Sequence, residues 1–190
     1  EAAGLLLRDR VFFGAHGGVT LSGGEVLLQW KFAAEVLARC RKAGVNTAVE
    51  SCLLASREAM EAMLPVTDQF LVDIKFLDPA LHRIHLGADN RVILENFQWL
   101  LAHGARVLVR TPLIPGYTAA EDNIRAIARY LRRNAPQTPW ELLNFNPLCR
   151  GKYTALEQDY PVSGGSLTQA EMQRFYDILE QEGIANIVKE

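Results

Sequence analysis

Cysteine is scarce in this chain. Among 190 residues there are three, Cys40, Cys52 and Cys149, and no CxxC spacing. Three scattered thiols cannot all pair and build no metal site by themselves, which points to a reducing, cytoplasmic setting. Long hydrophobic runs are missing too, none approaching the roughly 20 residues that cross a bilayer, and no signal peptide is visible. Charge of one sign is absent: 20 basic residues against 22 acidic ones leave a net charge of −2. That balance gives no electrostatic case for nucleic acid or an anionic membrane. Internal repeats and low-complexity segments are lacking as well. What remains is a 49% hydrophobic chain, sufficient for one substantial core and a single domain over 1–190. It opens on Glu1 rather than Met and reads as a portion of a longer protein.

Apolar, β-rich runs alternate with helical patterns, which predicts parallel strands joined by helices. The strand candidates are Gly18–Leu21, Val45–Glu50, Gln69–Ile74, Arg106–Thr111, Trp140–Phe145 and Ile184–Val188. A helix over Leu28–Ala43 is expected to bury Leu28, Phe32, Val36, Leu37 and Cys40 and to stop at Gly44. Ser56 is placed to cap a short helix through Leu64. Asp78-Pro79 reads as a cap and first-turn proline, and Asn90 as the cap of a helix ending at Gly104. In Glu121–Asn134, Ile124, Ile127, Ala128 and Leu131 face inward and Arg125, Arg129, Arg132 and Arg133 outward. Thr168 and Glu171 form a capping box for a last helix that buries Met172, Phe175, Tyr176 and Leu179. Arg150–Gly165 reads as a long loop held by Tyr153, Tyr160 and Pro161.

Polar residues gather where the predicted strands end. Ser22-Gly23-Gly24-Glu25 follows the first, Glu50 and Ser51 close the second, and Asp73 and Lys75 the third. Arg110 and Thr111 close the fourth, and Asn144 and Asn146 the fifth. The carboxyl edge of parallel strands is where ligands bind in barrels and open α/β sheets. Lys75 and Arg110 suit a carboxylate or phosphate, whereas Glu25 and Asp73 suit an ammonium, so an amino-acid moiety would satisfy all four. Glu50 with Asp73 could also hold a cation through oxygen. A simple Lys75–Asp73 or Lys75–Glu50 neutralising pair explains less of the ring. His82, His85 and His103 read as solvated helix residues, His16 as a loop residue, and Cys40 as core. Cys52 is the one thiol placed to line the site. The helical arginines near residue 129 read as a solvated face.

The motifs carry a family resemblance. Gly18-Val-Thr-Leu-Ser-Gly-Gly-Glu25 resembles the glycine-glycine-glutamate segment of radical S-adenosylmethionine enzymes, and more narrowly of glycyl-radical enzyme activating enzymes such as pyruvate formate-lyase activase. Val72-Asp73-Ile74-Lys75 is similar to that group's aspartate-x-lysine strand. Arg110-Thr-Pro-Leu-Ile-Pro-Gly-Tyr-Thr118, and Glu141–Asn146 followed by Gly151-Lys152-Tyr153, resemble its later strands and loops. The resemblance implies an incomplete parallel (β/α)6-type TIM barrel, a radical SAM core without its first strand and cluster loop. It implies that Gly23, Gly24 and Glu25 receive the methionine amino group, that Asp73, Ile74 and Lys75 meet the amino-acid and ribose end, and that Arg110 reaches the same ligand. Asn146 falls where many relatives carry a histidine; it can hydrogen-bond there but not titrate. Glu50-Ser51-Cys52 stands where relatives often carry aspartate-threonine-asparagine, which leaves Glu50 as a monovalent-cation ligand.

One element of the family pattern has no counterpart. No cysteine precedes the glycine strand, where the family carries cysteine-x3-cysteine-x2-cysteine. A [4Fe–4S] cluster needs thiolates, so the chain alone is expected to be inactive. The parent protein is expected to cleave S-adenosylmethionine to a 5′-deoxyadenosyl radical that takes hydrogen from a glycine of a partner glycyl-radical enzyme, with a reductant such as flavodoxin. Self-association through the edge of the first strand is a further expectation. Two other classes stay open: a cluster-free (β/α) barrel lyase or isomerase with Lys75 as Schiff base, and a non-catalytic binding module.

Overall fold

The computed structural model describes residues 1–15 and 17–189; the loop role expected of His16 lies outside them. Six strands, β1 (Gly18–Leu21), β2 (Asn46–Ser51), β3 (Gln69–Asp73), β4 (Val107–Leu113), β5 (Trp140–Asn144) and β6 (Ile187–Val188), lie side by side in chain order. The registered pairs are parallel. Sequential order is what repeated β–α–β crossovers of one hand produce. This is the parallel α/β arrangement expected from the alternating pattern, in the strand order of part of a (β/α) barrel. The helices are α1 (Ala2–Leu6), α2 (Trp30–Lys42), α3 (Arg57–Met63), α4 (Pro79–Leu86), α5 (Arg91–Ala102), α6 (Glu121–Asn134), α7 (Arg150–Ala155) and α8 (Gln169–Gln181). Among the described residues no helix is long and apolar enough to cross a membrane. The chain forms two compact units, one of Glu1–Asp73 with Arg91–Leu108 and one of Ile74–Asn90 with Val109–Glu190.

In the first unit the strands alternate cleanly. Val19, Thr47, Val49, Ser51, Phe70 and Val72 are buried on the face that α2, α3 and α5 cover with Leu37, Met60, Met63, Phe97 and Leu100. The opposite face carries Ala48, Glu50, Gln69, Leu71 and Asp73, all half-buried, in registers such as Glu50 beside Leu71. Period-2 alternation thereby separates a packed face from a chemical one. Gly18 is required where β1 meets β2, because a Cβ there would stand 2.2 Å from the Asn46 carbonyl oxygen. The helix expected over Leu28–Ala43 starts later. Val26–Gln29 is a 3-10 turn, whose three-residue period turns Leu27 inward and leaves Leu28 78% exposed. The α2 stripe then runs Ala33, Val36, Leu37, Cys40. Phe32 sits one position off it and is 58% exposed.

In the second unit, Trp140 and Thr111 are fully buried. The Trp140 indole N–H donates to Thr111 Oγ1 at 3.0 Å, and that hydroxyl donates to the Ile74 carbonyl at 2.8 Å. Asp78 caps α4 by accepting from the Ala80 and Leu81 amides, and Gly87 ends it at φ +81. The capping box of Thr168 and Glu171 forms as expected. Asn90, which directly precedes α5, directs its amide to the Phe76 and Leu77 carbonyls, at 3.0 and 2.8 Å. Three expectations need correction. His82 is 6% exposed rather than solvated, because its Nδ1 reaches the Ala88 carbonyl across the Gly87 turn at 2.6 Å. The Arg150–Gly165 stretch opens with α7 rather than loop. The arginines of α6 are not simply a solvated face: Arg125, Arg129 and Arg132 close on Glu182.

Candidate functional site

In the first unit, β1 runs out into Ser22-Gly23-Gly24, and the chain turns at Gly23 with φ +143, a conformation only glycine adopts without strain. A Cβ built on Gly23 or Gly24 meets nothing within 4 Å, so the turn's backbone faces open space. A cleft of about 180 Å³ opens there, lined by Leu21, Ser22, Gly23, Gly24, Glu25 and Phe32 among others. Glu25 caps the 3-10 turn, its Oε1 accepting from the Leu27 amide at 3.0 Å. The same oxygen accepts from the Ser51 hydroxyl at 2.7 Å. Oε2 accepts from the Cys52 amide at 3.0 Å and its thiol at 3.1 Å. Sequence spacing foresaw neither partner; the β1–β2 register, which sets Leu21 beside Val49, carries the two strand ends together. Glu50 lies half-buried on the chemical face of β2, and Asp73 on the same face at the end of β3.

In the second unit, Arg110 and Glu141 are cross-strand neighbours on β4 and β5. Arg110 Nε lies 3.3 Å from Glu141 Oε2, with side chains 19% and 16% exposed. Ile74 is buried; its amide donates to the Arg110 carbonyl at 3.0 Å. Lys75 is half-buried and lines a small apolar cleft of about 170 Å³ with Phe76, His85 and Tyr117. The His85 ring there stacks on Phe76 at 5.2 Å. The Lys75 carbonyl accepts from Asn123 Nδ2 at 2.9 Å, and the same amide donates to the Thr118 carbonyl at 3.1 Å. Thr118 in turn fastens the loop after β4 by accepting from the Ile114 amide at 2.8 Å and donating to the Pro112 carbonyl. Asn146 is exposed and accepts from the Leu148 amide at 3.1 Å, starting the 3-10 turn Pro147–Cys149. Asn123 and Thr118 escaped sequence reading, although an asparagine beside the apolar stripe of α6 signals a buried anchor.

The profile of the radical SAM superfamily matches residues 2–130. The chain belongs to that superfamily. This radical SAM chain is 37% identical over 179 residues to a choline trimethylamine-lyase activating enzyme of Oleidesulfovibrio alaskensis, covering 92% of the chain and 58% of the relative. To a 4-hydroxyphenylacetate decarboxylase activating enzyme of Clostridioides difficile it is 33% identical over 188 residues, covering 97% and 59%. It therefore spans somewhat over half the length of these relatives. Among solved structures, a domain of a pyruvate-formate lyase-activating enzyme from Bacteroides vulgatus superposes with a TM-score of 0.72 at 28% identity. That match covers 90% of this chain and 99% of the domain. Streptococcus suis SuiB bound to S-adenosylmethionine shares the fold at a TM-score of 0.74 and 14% identity, over 98% of this chain and 42% of SuiB.

The family uses S-adenosylmethionine and a [4Fe–4S] cluster, and the two fit this chain differently. An open glycine turn beside a carboxylate held, among the described residues, by neutral donors is suited to the cationic end of S-adenosylmethionine. The cluster does not fit the residues present. Among the described residues no three His, Cys, Asp or Glu side chains gather as metal ligands. Cys40 is buried in α2, where burial raises its thiol above the ordinary range, and Cys52 is engaged with Glu25.

Proposed function

We propose that this chain is the S-adenosylmethionine-binding portion of a glycyl-radical enzyme activating enzyme. The observation that carries the reading is the open Gly23-Gly24 turn, with Glu25 beside it unmatched by any cation among the described residues. In the first unit, Gly23 and Gly24 would receive the amino end of the ligand through their backbone, with the charge of Glu25 beside them. Asp73 would accept from the amino-acid or ribose portion, and Glu50 would offer an oxygen to a monovalent cation. In the second, Lys75 and Arg110 would supply cationic donors, Ile74 its strand backbone and Asn146 an uncharged hydrogen-bonding group.

In the parent protein the reaction is one-electron cleavage of the sulfonium C–S bond, giving methionine and a 5′-deoxyadenosyl radical. That radical takes a hydrogen atom from a backbone glycine of a partner enzyme and leaves as 5′-deoxyadenosine. The electron would come from a reductant such as flavodoxin; the described residues of this chain do not fit an iron–sulfur cluster, and the chain alone is inactive. Its own part is to bind and orient the ligand, since cofactors supply the hard chemistry, and its setting is cytoplasmic. The exposed apolar side chains Val11, Phe12, Leu28 and Phe32 support self-association of the chain on its own. The test is the complete parent protein, reconstituted and reduced with S-adenosylmethionine. It should release 5′-deoxyadenosine, and Gly24→Val should abolish that release. A complete, reconstituted protein that releases none refutes the reading.

A further inference from the structure

We infer that Asn96, Ser51 and Cys52 are positioning residues for the glycine turn. Together they hold Glu25 with neutral donors, so that its charge is fixed in place but left uncompensated. The inference rests on the reading above, in which this turn receives the cationic end of S-adenosylmethionine.

The relay begins on α5. Asn96 is 2% exposed, and its Nδ2 donates to the Leu53 carbonyl and the Ala55 carbonyl, both at 2.9 Å. These bonds grip Leu53, which is fully buried and left-handed at φ +64. A leucine in that region persists only where the surroundings over-determine it. Leu53 passes the constraint on, because its amide donates to Ser51 Oγ at 2.8 Å. A hydroxyl carries one proton. With an N–H already pointing at its oxygen, Ser51 turns that proton to Glu25 Oε1. Cys52, between them, aims both its amide and its thiol at Oε2. With the Leu27 amide, each carboxylate oxygen of Glu25 receives two donors. The acceptor sites are filled, so the side chain anchors the turn, and the ligand's N–H groups are left to the backbone carbonyls of Ser22–Gly24. The carboxylate still attracts a cation, since among the described residues its donors are neutral.

Glu25→Gln, Ser51→Ala and Asn96→Asp in the complete protein test this. The readouts are amide hydrogen exchange at Leu27 and Cys52, iodoacetamide alkylation of Cys52, and calorimetric titration with S-adenosylmethionine. Each variant should speed exchange at Leu27 and Cys52 and weaken affinity about tenfold, the loss expected when a charge-assisted hydrogen bond goes. Glu25→Gln should also speed Cys52 alkylation about fivefold or more, since a thiolate is disfavoured beside a carboxylate. Because Asn96→Asp places an acceptor against two carbonyls and can unfold the protein, Cys52→Ser and Cys52→Ala give a second comparison. Serine should restore exchange and affinity to within about twofold, and alanine should not. A loss of affinity in Glu25→Gln with exchange unchanged overturns the inference, because Glu25 would then contact the ligand directly. Faster exchange with affinity unchanged also overturns it. A wild-type protein that binds no S-adenosylmethionine, with exchange and alkylation responding as stated, refutes the functional reading while leaving the relay in place.

Discussion

Glu25 and Glu182 are both carboxylates gripped by several donors, yet they are gripped by opposite means. Glu25 takes a hydroxyl, a thiol and two backbone amides. Glu182, at the end of α8, takes Arg129 through two bonds of 2.9 and 3.1 Å and Arg125 at 3.4 Å, while Arg132 holds its carbonyl at 3.0 Å. An acid at a helix C-terminus opposes the helix dipole, so the arginines there neutralise a charge that the fold would otherwise bear. Their hydrogen bonds and charge hold the Glu182 carboxyl below the ordinary range and raise Arg129 above its own. Around Glu25 no cation provides such compensation among the described residues. The Glu182 carboxylate is cancelled by its neighbours; among the described residues the Glu25 carboxylate is held by neutral donors.

The sharpest way to break this comparison is to reverse the charge at the compensated site. Glu182→Lys sets a fourth cation among three arginines that join α6 to α8, and should give the largest fall in melting temperature of any change described here. Calorimetry should show it without loss of strand structure elsewhere. Glu182→Gln should cost less and in a pH-dependent way. The folded carboxyl is held low, so its contribution is present above the unfolded value and is lost as pH falls through the folded one. Wild type should therefore exceed Glu182→Gln in melting temperature near neutrality and converge with it at the acid end. Parallel curves across the range would show that the arginines do not stabilise the charge.

The difference between the two carboxylates also marks what the sequence made legible. Strand order and the capping residues Ser56, Asp78 and Thr168 followed from local patterns, because alternation and caps are properties of neighbouring residues. The turn at Gly23-Gly24 was legible for the same reason. The Arg110–Glu141 pair and the grip of Ser51 and Cys52 on Glu25 were not, since both depend on strand register, which no single run encodes. The α6 arginines misled because the acid they serve lies some fifty residues away in sequence. Leu28 misled because a 3-10 turn replaced the first turn of an α-helix and shifted the inward position to Leu27.

Glu171 sharpens the comparison at smaller scale. Like Glu25 it is held by neutral donors: the Thr168 amide and hydroxyl both reach its Oε2 at 2.7 Å. These bonds, more than nearby charge, hold its carboxyl low. At Glu171, bonds from neutral donors thus favour the ionised form. Thr168→Ala removes the cap and should cost about 1 kcal/mol. The cost should shrink as pH falls through the range where Glu171 takes up its proton, since a depressed carboxyl contributes only while ionised. Urea unfolding at neutral and acid pH measures both.

Salt separates the two kinds of grip with the smallest effect. At about 1 M ionic strength the screening length falls to about 3 Å, which weakens the partly exposed attraction between Arg129 and Glu182. Hydrogen bonds from neutral donors carry no monopole to screen. The melting difference between wild type and Glu182→Gln should therefore narrow in concentrated sodium chloride. Amide exchange at Leu27 and Cys52, which reports the hold on Glu25, should stay unchanged within about twofold. Faster exchange there in salt would mean that an unrecognised cation shares Glu25, and the contrast between an oriented charge and a cancelled one would fail.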